Sequence, residues 1–213
     1  ETLPIELSRG CVFKCAFCNY RFNGKQTVDY IKPIETIKNE LIYNWENYGI
    51  TNYRILDDTF NDTEKKIDDM LAVVRDLPFS PKFWAYIRLD LLAKHPHTLD
   101  KLYEMGLRAA HFGIETLDLR AGRTIGKGFD PEKQVEMIRH IRSSYGNNMY
   151  MIGSFIVGLP GESMHSIVST QQRILQDEIP LDDVQYWPLT FDKKDFFYWE
   201  STLSINQIGR AHV

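Results

Sequence analysis

Six short apolar runs alternate with stretches of helical period, and this order constrains the fold more than any other feature of the sequence. The predicted strands are Pro4 to Ser8, Tyr53 to Leu56, Phe83 to Ile87, Leu107 to Gly113, Tyr150 to Val157 and Val184 to Leu189. Between the first two, Pro33 stands where a helix begins, and Ile34, Ile37, Leu41, Trp45 and Tyr48 recur at three- and four-residue steps until Gly49 stops it. Asn61 or Asp62 is placed to cap the next helix, with Ile67, Met70, Leu71, Val74 and Leu77 as its apolar stripe. Leu99, Leu102 and Met105 mark a helix ending at Gly106, Asp130 caps one through Val135, Ile138 and Ile141, and another runs from about Ser163 to Gln176. Repeated strand-then-helix units predict a parallel sheet with right-handed crossovers, either doubly wound and open or curled like a barrel. Polar residues decide between the two. Cysteines follow the first run, Asp57 and Asp58 the second, Arg88 and Asp90 the third, Glu115 the fourth, and Gly158 to Glu162 the fifth. Chemistry gathered at the C-terminal ends of five strands suits a barrel rim better than one crevice, so the expected fold is α/β, a partial (β/α)6 TIM-type barrel of parallel strands.

All three cysteines of the 213-residue chain, Cys11, Cys15 and Cys18, lie within eight residues. A disulfide framework spreads an even number of cysteines to close long loops; three crowded ones indicate a metal site in a reducing, cytoplasmic setting. The formal net charge of −4 argues against a general nucleic-acid-binding surface, although an RNA substrate stays open. No apolar run reaches the roughly 18–20 residues that span a bilayer, so no membrane association is expected. The C-x3-C-x2-C spacing lets three thiolates of one loop hold three irons of a cubane cluster, leaving the fourth iron without a protein thiolate. Ferredoxin-type carriers use four cysteines at other spacings. The alternatives are a zinc site recruiting His95 as fourth ligand, or cysteines that merely pack as small hydrophobes, which the polar Lys14 and Asn19 of the same loop disfavour.

With Phe17 before the third cysteine, Cys11 to Cys18 resembles the C-x3-C-x-aromatic-C motif of the radical S-adenosylmethionine superfamily. Two further segments agree in order. Gly113-Ile114-Glu115-Thr116 resembles the family's G-[IV]-E-[ST] segment. Phe155 to Ser163 resembles the F-x-x-G-x-P-G-E-[ST] segment of its cobalamin-binding, methylthiotransferase-like and coproporphyrinogen-oxidase-like branches. The resemblance covers about residues 3–189. It implies a [4Fe–4S] cluster whose open iron binds S-adenosylmethionine and cleaves it reductively to a 5′-deoxyadenosyl radical that abstracts hydrogen from substrate. It implies a reductant such as flavodoxin or ferredoxin, and a substrate that is a small molecule, RNA or protein. Cobalamin is implied only if another domain supplies it.

On the same resemblance Phe17 lies against the adenine, Asp57 or Asp58 receives the methionine ammonium, and Arg88 begins an R-x-D stretch. Glu115 meets the ribose or the methionine end, while Gly158, Pro160 and Glu162 shape the adenine pocket. Each has a plainer reading: a helix cap for Asp57 or Asp58, a local ion pair for Arg88 with Asp90, a strand-to-helix turn for Gly158 to Ser163. Lys127, beside Gly126 and Gly128, reads as a solvated loop lysine, and Tyr186 and Trp187 as core aromatics. The expected organisation is a core over 1–190, the opening of a C-terminal segment over 191–207, and a tail at 208–213 that reads as a translated adapter. Both ends look cut. The competing function is a non-enzymatic iron–sulfur or zinc-binding protein.

Overall fold

A computed structural model describes residues 1–20, 24, 27 and 31–190, so the expected C-terminal segment and tail lie outside the described residues. Six strands, β1 (Thr2–Ile5), β2 (Asn52–Ile55), β3 (Lys82–Ile87), β4 (Leu107–Glu115), β5 (Tyr150–Val157) and β6 (Asp183–Pro188), form one sheet. Their order is β1 to β6, every neighbouring pair is parallel, and β1 does not pair with β6 among the described residues. The architecture is a partial TIM-type barrel, open along one seam.

The helices are α1 (Ile34–Tyr48), α2 (Glu64–Arg75), α3 (Leu89–Lys94), α4 (Thr98–Glu104), α5 (Leu119–Thr124), α6 (Pro131–Tyr145) and α7 (Met164–Leu175). Gly49 ends α1 in the left-handed region at φ 66°, where a side chain is disfavoured. Asp130 caps α6 through its side chain, and Ser163 caps α7 in a reciprocal box with Ser166. The cap of α2 is Thr63, whose side chain accepts from the Lys66 amide; Asn61 and Asp62 instead fall in a 3-10 turn before it. The six-residue helices α3 and α5 are too short to leave a period in the sequence.

Strand alternation separates the two sheet faces. Ile5, Tyr53, Ile55, Phe83, Ala85, Ile87, Phe112 and Met151 pack against α1, α2, α4 and α6 in the main core, through Ile37, Leu41, Met70, Leu102 and Ile138. A smaller cluster of Ala121, Ile125, Leu159 and Leu189 takes Phe17 and Ile156 against it, so the cysteine loop is seated on α5 and the end of β6. Among the described residues β6 pairs with β5 alone, and its Tyr186 and Trp187 are exposed by 39% and 58% rather than in the core as expected.

Candidate functional site

The face turned from the helices opens into a cavity of about 390 Å³ at the C-terminal ends of the strands. Cys11, Cys15 and Cys18 stand on one wall, with Phe17 and Asp58 beside them. Arg88, Glu115 and Lys127 stand on the others, and Tyr86, His111, Gln185 and Trp187 line it along the strands.

The cysteine loop is fixed at several points. The Ala16 amide donates to the Ile125 carbonyl (2.9 Å), and the Cys18 amide to the Cys15 carbonyl (3.1 Å). Gly10 donates to Asp58 Oδ2 at 3.1 Å, and Cys11 Sγ lies 3.4 Å from Thr59 Oγ1. Burial pushes the Cys18 thiol up to about 11, with the nearby Cys15 and Cys11 adding to it and the Tyr20 amide and Lys127 opposing. A sulfur so placed keeps its proton at neutral pH, and any metal bound there would have to displace it.

Arg88 is held as an ion pair, as its plainer reading had it, but also reaches the loop. It grips Asp90 with two bonds (2.9 and 2.7 Å), lies 4.0 Å over the Phe13 ring, and points Nη1 at Cys15 Sγ at 3.6 Å. Burial pulls against its charge, but the bonds and charge of Asp90, with the Cys15 sulfur beside it, leave the guanidinium above its ordinary value.

Glu115 ends β4 at a register shift between Gly113 and Glu115, where one extra residue bends the strand. Its φ of 66° is rare for a residue with a side chain. The bend delivers the carboxylate to Lys127, whose Nζ donates to Glu115 Oε1 and to the Gly113 carbonyl, each at 2.7 Å. A Cβ at Gly113 would fall 2.5 Å from that Oε1 and 2.8 Å from that Nζ, so the pair needs glycine there. Lys127 is therefore not a solvated loop residue: its side chain is 14% exposed and stands 5.9 Å from the Phe17 ring.

Not every residue singled out from sequence reaches the cavity. Asp57 is completely buried and lies off it, accepting bonds from Leu7, Ser8 and Lys66. Gly158, Pro160 and Glu162 do not line it either. Glu162 accepts from Thr116 Oγ1 (2.7 Å) and from the Gly158 amide (3.3 Å), tying the end of β4 to the turn after β5. Burial raises its carboxyl above the ordinary range. His95 pairs with Glu64 at 2.7 Å and is not on the cavity wall.

Sequence reasoning missed the inward row of β2 to β4. Arg54 stacks 4.4 Å over Trp84 and donates to the Tyr86 hydroxyl (3.3 Å), and Tyr86 and His111 meet at 4.9 Å between rings. Burial lowers the pKa of His111, with Arg54 adding to that effect and Glu115 and Asp183 opposing it. The alternation in Lys82-Phe83-Trp84-Ala85-Tyr86-Ile87 carried this signal, since Trp and Tyr occupy the phase opposite to Phe, Ala and Ile.

Comparison with known proteins decides the family, because the Radical SAM superfamily model matches residues 5–174. The chain belongs to the radical S-adenosylmethionine superfamily. A protein of Pyrococcus horikoshii named "Uncharacterized methyltransferase PH0819" is 28% identical over 164 residues, 76% of this chain and 34% of the relative. Among solved structures, the methyltransferase TsrM of Kitasatospora setae, with cobalamin and a [4Fe–4S] cluster bound, matches at a TM-score of 0.67 and 14% identity. That match covers 87% of this chain and 36% of TsrM. Coproporphyrinogen III oxidase of Escherichia coli matches at 0.63 and 15%, over 99% of this chain and 51% of that enzyme. The cobalamin-dependent enzyme OxsB matches at 0.66 and 16%, over 99% and 30%. The structural likenesses establish the fold, and the chain spans about a third of the length of the Pyrococcus protein and of TsrM. Family membership implies a [4Fe–4S] cluster and S-adenosylmethionine. No helix among the described residues is long and apolar enough to cross a membrane.

Proposed function

We propose that Cys11, Cys15 and Cys18 hold a [4Fe–4S] cluster with S-adenosylmethionine at its open iron, and that the cavity serves radical chemistry on a substrate at the barrel mouth. The observation that carries this reading is the placing of three thiols and the Glu115–Lys127 pair on walls of one cavity. The donor set fits the group. Among the described residues no three Cys, His, Asp or Glu side chains close on a single ion position, as zinc would require, whereas in a cubane each sulfur meets a different iron. When bound, the reduced cluster would supply the electron that cleaves the sulfonium and releases a 5′-deoxyadenosyl radical.

The chain's own groups orient the ligand. Glu115 offers carboxylate oxygen to the ribose hydroxyls or the methionine ammonium, and Asp58 adds negative charge beside the loop. Lys127 offers a cation to the methionine carboxylate while holding Glu115 in place. Phe17 offers its ring to the adenine region, and the β6 backbone lies along the same wall. Arg88 places fixed positive charge by the Cys15 sulfur. Gly158, Pro160 and Glu162 act one step back, by fixing the turn after β5. A flavodoxin- or ferredoxin-like reductant is the expected electron source, in the cytoplasm.

Within that class we favour methyl transfer, on the name of the Pyrococcus relative. Cobalamin enters only if a domain beyond these residues carries it. Anaerobic reconstitution should give about four irons per chain and, on reduction with S-adenosylmethionine, 5′-deoxyadenosine. A cluster that forms yet never yields that product would overturn the radical reading. Methyl donation adds S-adenosylhomocysteine to the products, and its absence with substrate present would remove the methyltransferase assignment. Cys15→Ala should abolish cluster binding and leave the circular dichroism of the barrel in place; iron at the wild-type level would contradict the ligand set.

A further inference from the structure

Adjacent lysines at the start of α2 have opposite fates: Lys65 is 79% exposed and Lys66 only 1%. Sealing an ammonium away from water costs several kcal/mol unless partners surround it, and Lys66 has them. Its Nζ lies 3.0 Å from Asp57 Oδ2, 2.8 Å from Asp62 Oδ1 and 3.0 Å from the Thr59 carbonyl. The lysine thus fastens both ends of the six-residue segment 57–62, which follows β2.

That segment does little for the hydrophobic core beyond Phe60, and much for the cysteine loop. Asp57 Oδ1 accepts the amides of Leu7 and Ser8 (2.9 Å each), and Oδ2 accepts the Ser8 hydroxyl (2.6 Å). Asp58 takes the Gly10 amide, and Thr59 stands against Cys11 Sγ. Asn61 holds the Arg88 backbone from both sides, at 2.9 and 3.0 Å, and Arg88 reaches Cys15. Successive residues of one segment therefore meet successive residues of the loop, with Lys66 beneath.

We infer that Lys66, through Asp57, is a positioning residue for the cluster: it locks segment 57–62 as a rigid former on which the cysteine loop is laid down before iron arrives. The inference rests on the cluster reading above. Removing the ammonium leaves Asp57 buried without its cation and unties segment 57–62 from α2, so its grip on Leu7 and Ser8 loosens.

The test uses the full chain, as wild type, Lys66→Met and Ser8→Ala, in three measurements. These are amide hydrogen exchange in the iron-free protein, loss of iron from reconstituted protein to a ferrous chelator, and thermal unfolding. In the wild type the Leu7 and Ser8 amides should be protected before iron is added. Both variants should expose them while the α2 amides stay protected, and both should lose iron roughly tenfold faster or more, the effect of one lost hydrogen bond to a charged group. Ser8→Ala keeps the test decisive if Lys66→Met does not fold, because it deletes one bond to Asp57 and leaves the ion pair intact. A purely structural role would lower the unfolding temperature without exposing Leu7 and Ser8 selectively. Wild-type protection and wild-type iron loss in Ser8→Ala would overturn the inference. A wild-type chain that binds no iron would instead overturn the cluster assignment, and the exchange of Leu7 and Ser8 would still judge the clamp.

Discussion

Lys66 with Asp57 and Lys127 with Glu115 are the same two charges at similar separations, 3.0 and 2.7 Å, yet they sit in opposite relations to the cavity. The first pair is sealed, with side chains 1% and 0% exposed, and Asp57 is saturated by protein donors. The second is 14% and 9% exposed and lies on the cavity wall, where Lys127 is the partner of the Glu115 carboxylate among the described residues. Burial of an ion pair therefore does not announce its task. The remaining contacts of each atom do: backbone amides of a neighbouring loop in one case, open space beside three thiols in the other.

Breaking each pair should separate the two tasks. Lys66→Met strands a buried carboxylate, a change that costs about 3–5 kcal/mol. Lys127→Met should cost about 1 kcal/mol or less, because its partner can reach water; denaturant midpoints of the two iron-free variants measure the difference. Equal losses would dissolve the distinction. Next in size, Glu115→Gln should weaken S-adenosylmethionine binding to the reconstituted chain by roughly tenfold, the effect of one charge-assisted bond, with little change in unfolding. Calorimetric titration would show it, and unaltered affinity would move Glu115 out of the ligand's reach. Gly113→Ala should act in the same direction, since its Cβ takes the space of the Glu115 and Lys127 tips.

The smallest expected effect concerns Glu162, a buried carboxyl outside both pairs. Burial raises its folded pKa above the unfolded value, so its contribution to stability is full at low pH and lost as pH rises through the folded pKa. Glu162→Gln carries no such proton. Its unfolding temperature relative to wild type should therefore rise from pH 4 to pH 7, and a difference independent of pH would show that folding does not raise the carboxyl's pKa.

The contrast also explains what the sequence could reveal. Strands and long helices follow from periodicity and caps, and β5 and α7 appear with nearly the expected ends. Cysteine spacing locates the thiol-bearing wall of the cavity because its three sulfurs lie close together in the chain. Ion pairs are not contiguous. The stripe of Ile67, Met70 and Leu71 puts Lys66, four residues before Met70, on the inward face, but only the fold shows that Asp57 and Asp62 wait for it there. Lys127 reads as solvated because its burial depends on α5, a helix of six residues with no period to read, and on a bend in β4 that the strand pattern does not betray. Trp187 looks like core for the converse reason, since residue type cannot show that its face of β6 is left exposed.

Because each strand pairs with its successor in the chain, the sheet can grow in the order of synthesis. Chains assemble vectorially as they leave the ribosome at about 5–20 residues per second. Cys11 to Cys18 emerge before the segment that shapes them, which is complete only when Lys66 follows, and Glu115 and Lys127 come later still. The partners that segment 57–62 offers the cysteine loop thus leave the ribosome ahead of Glu115 and Lys127, so one wall of the cavity can be ordered before the opposite wall has been made.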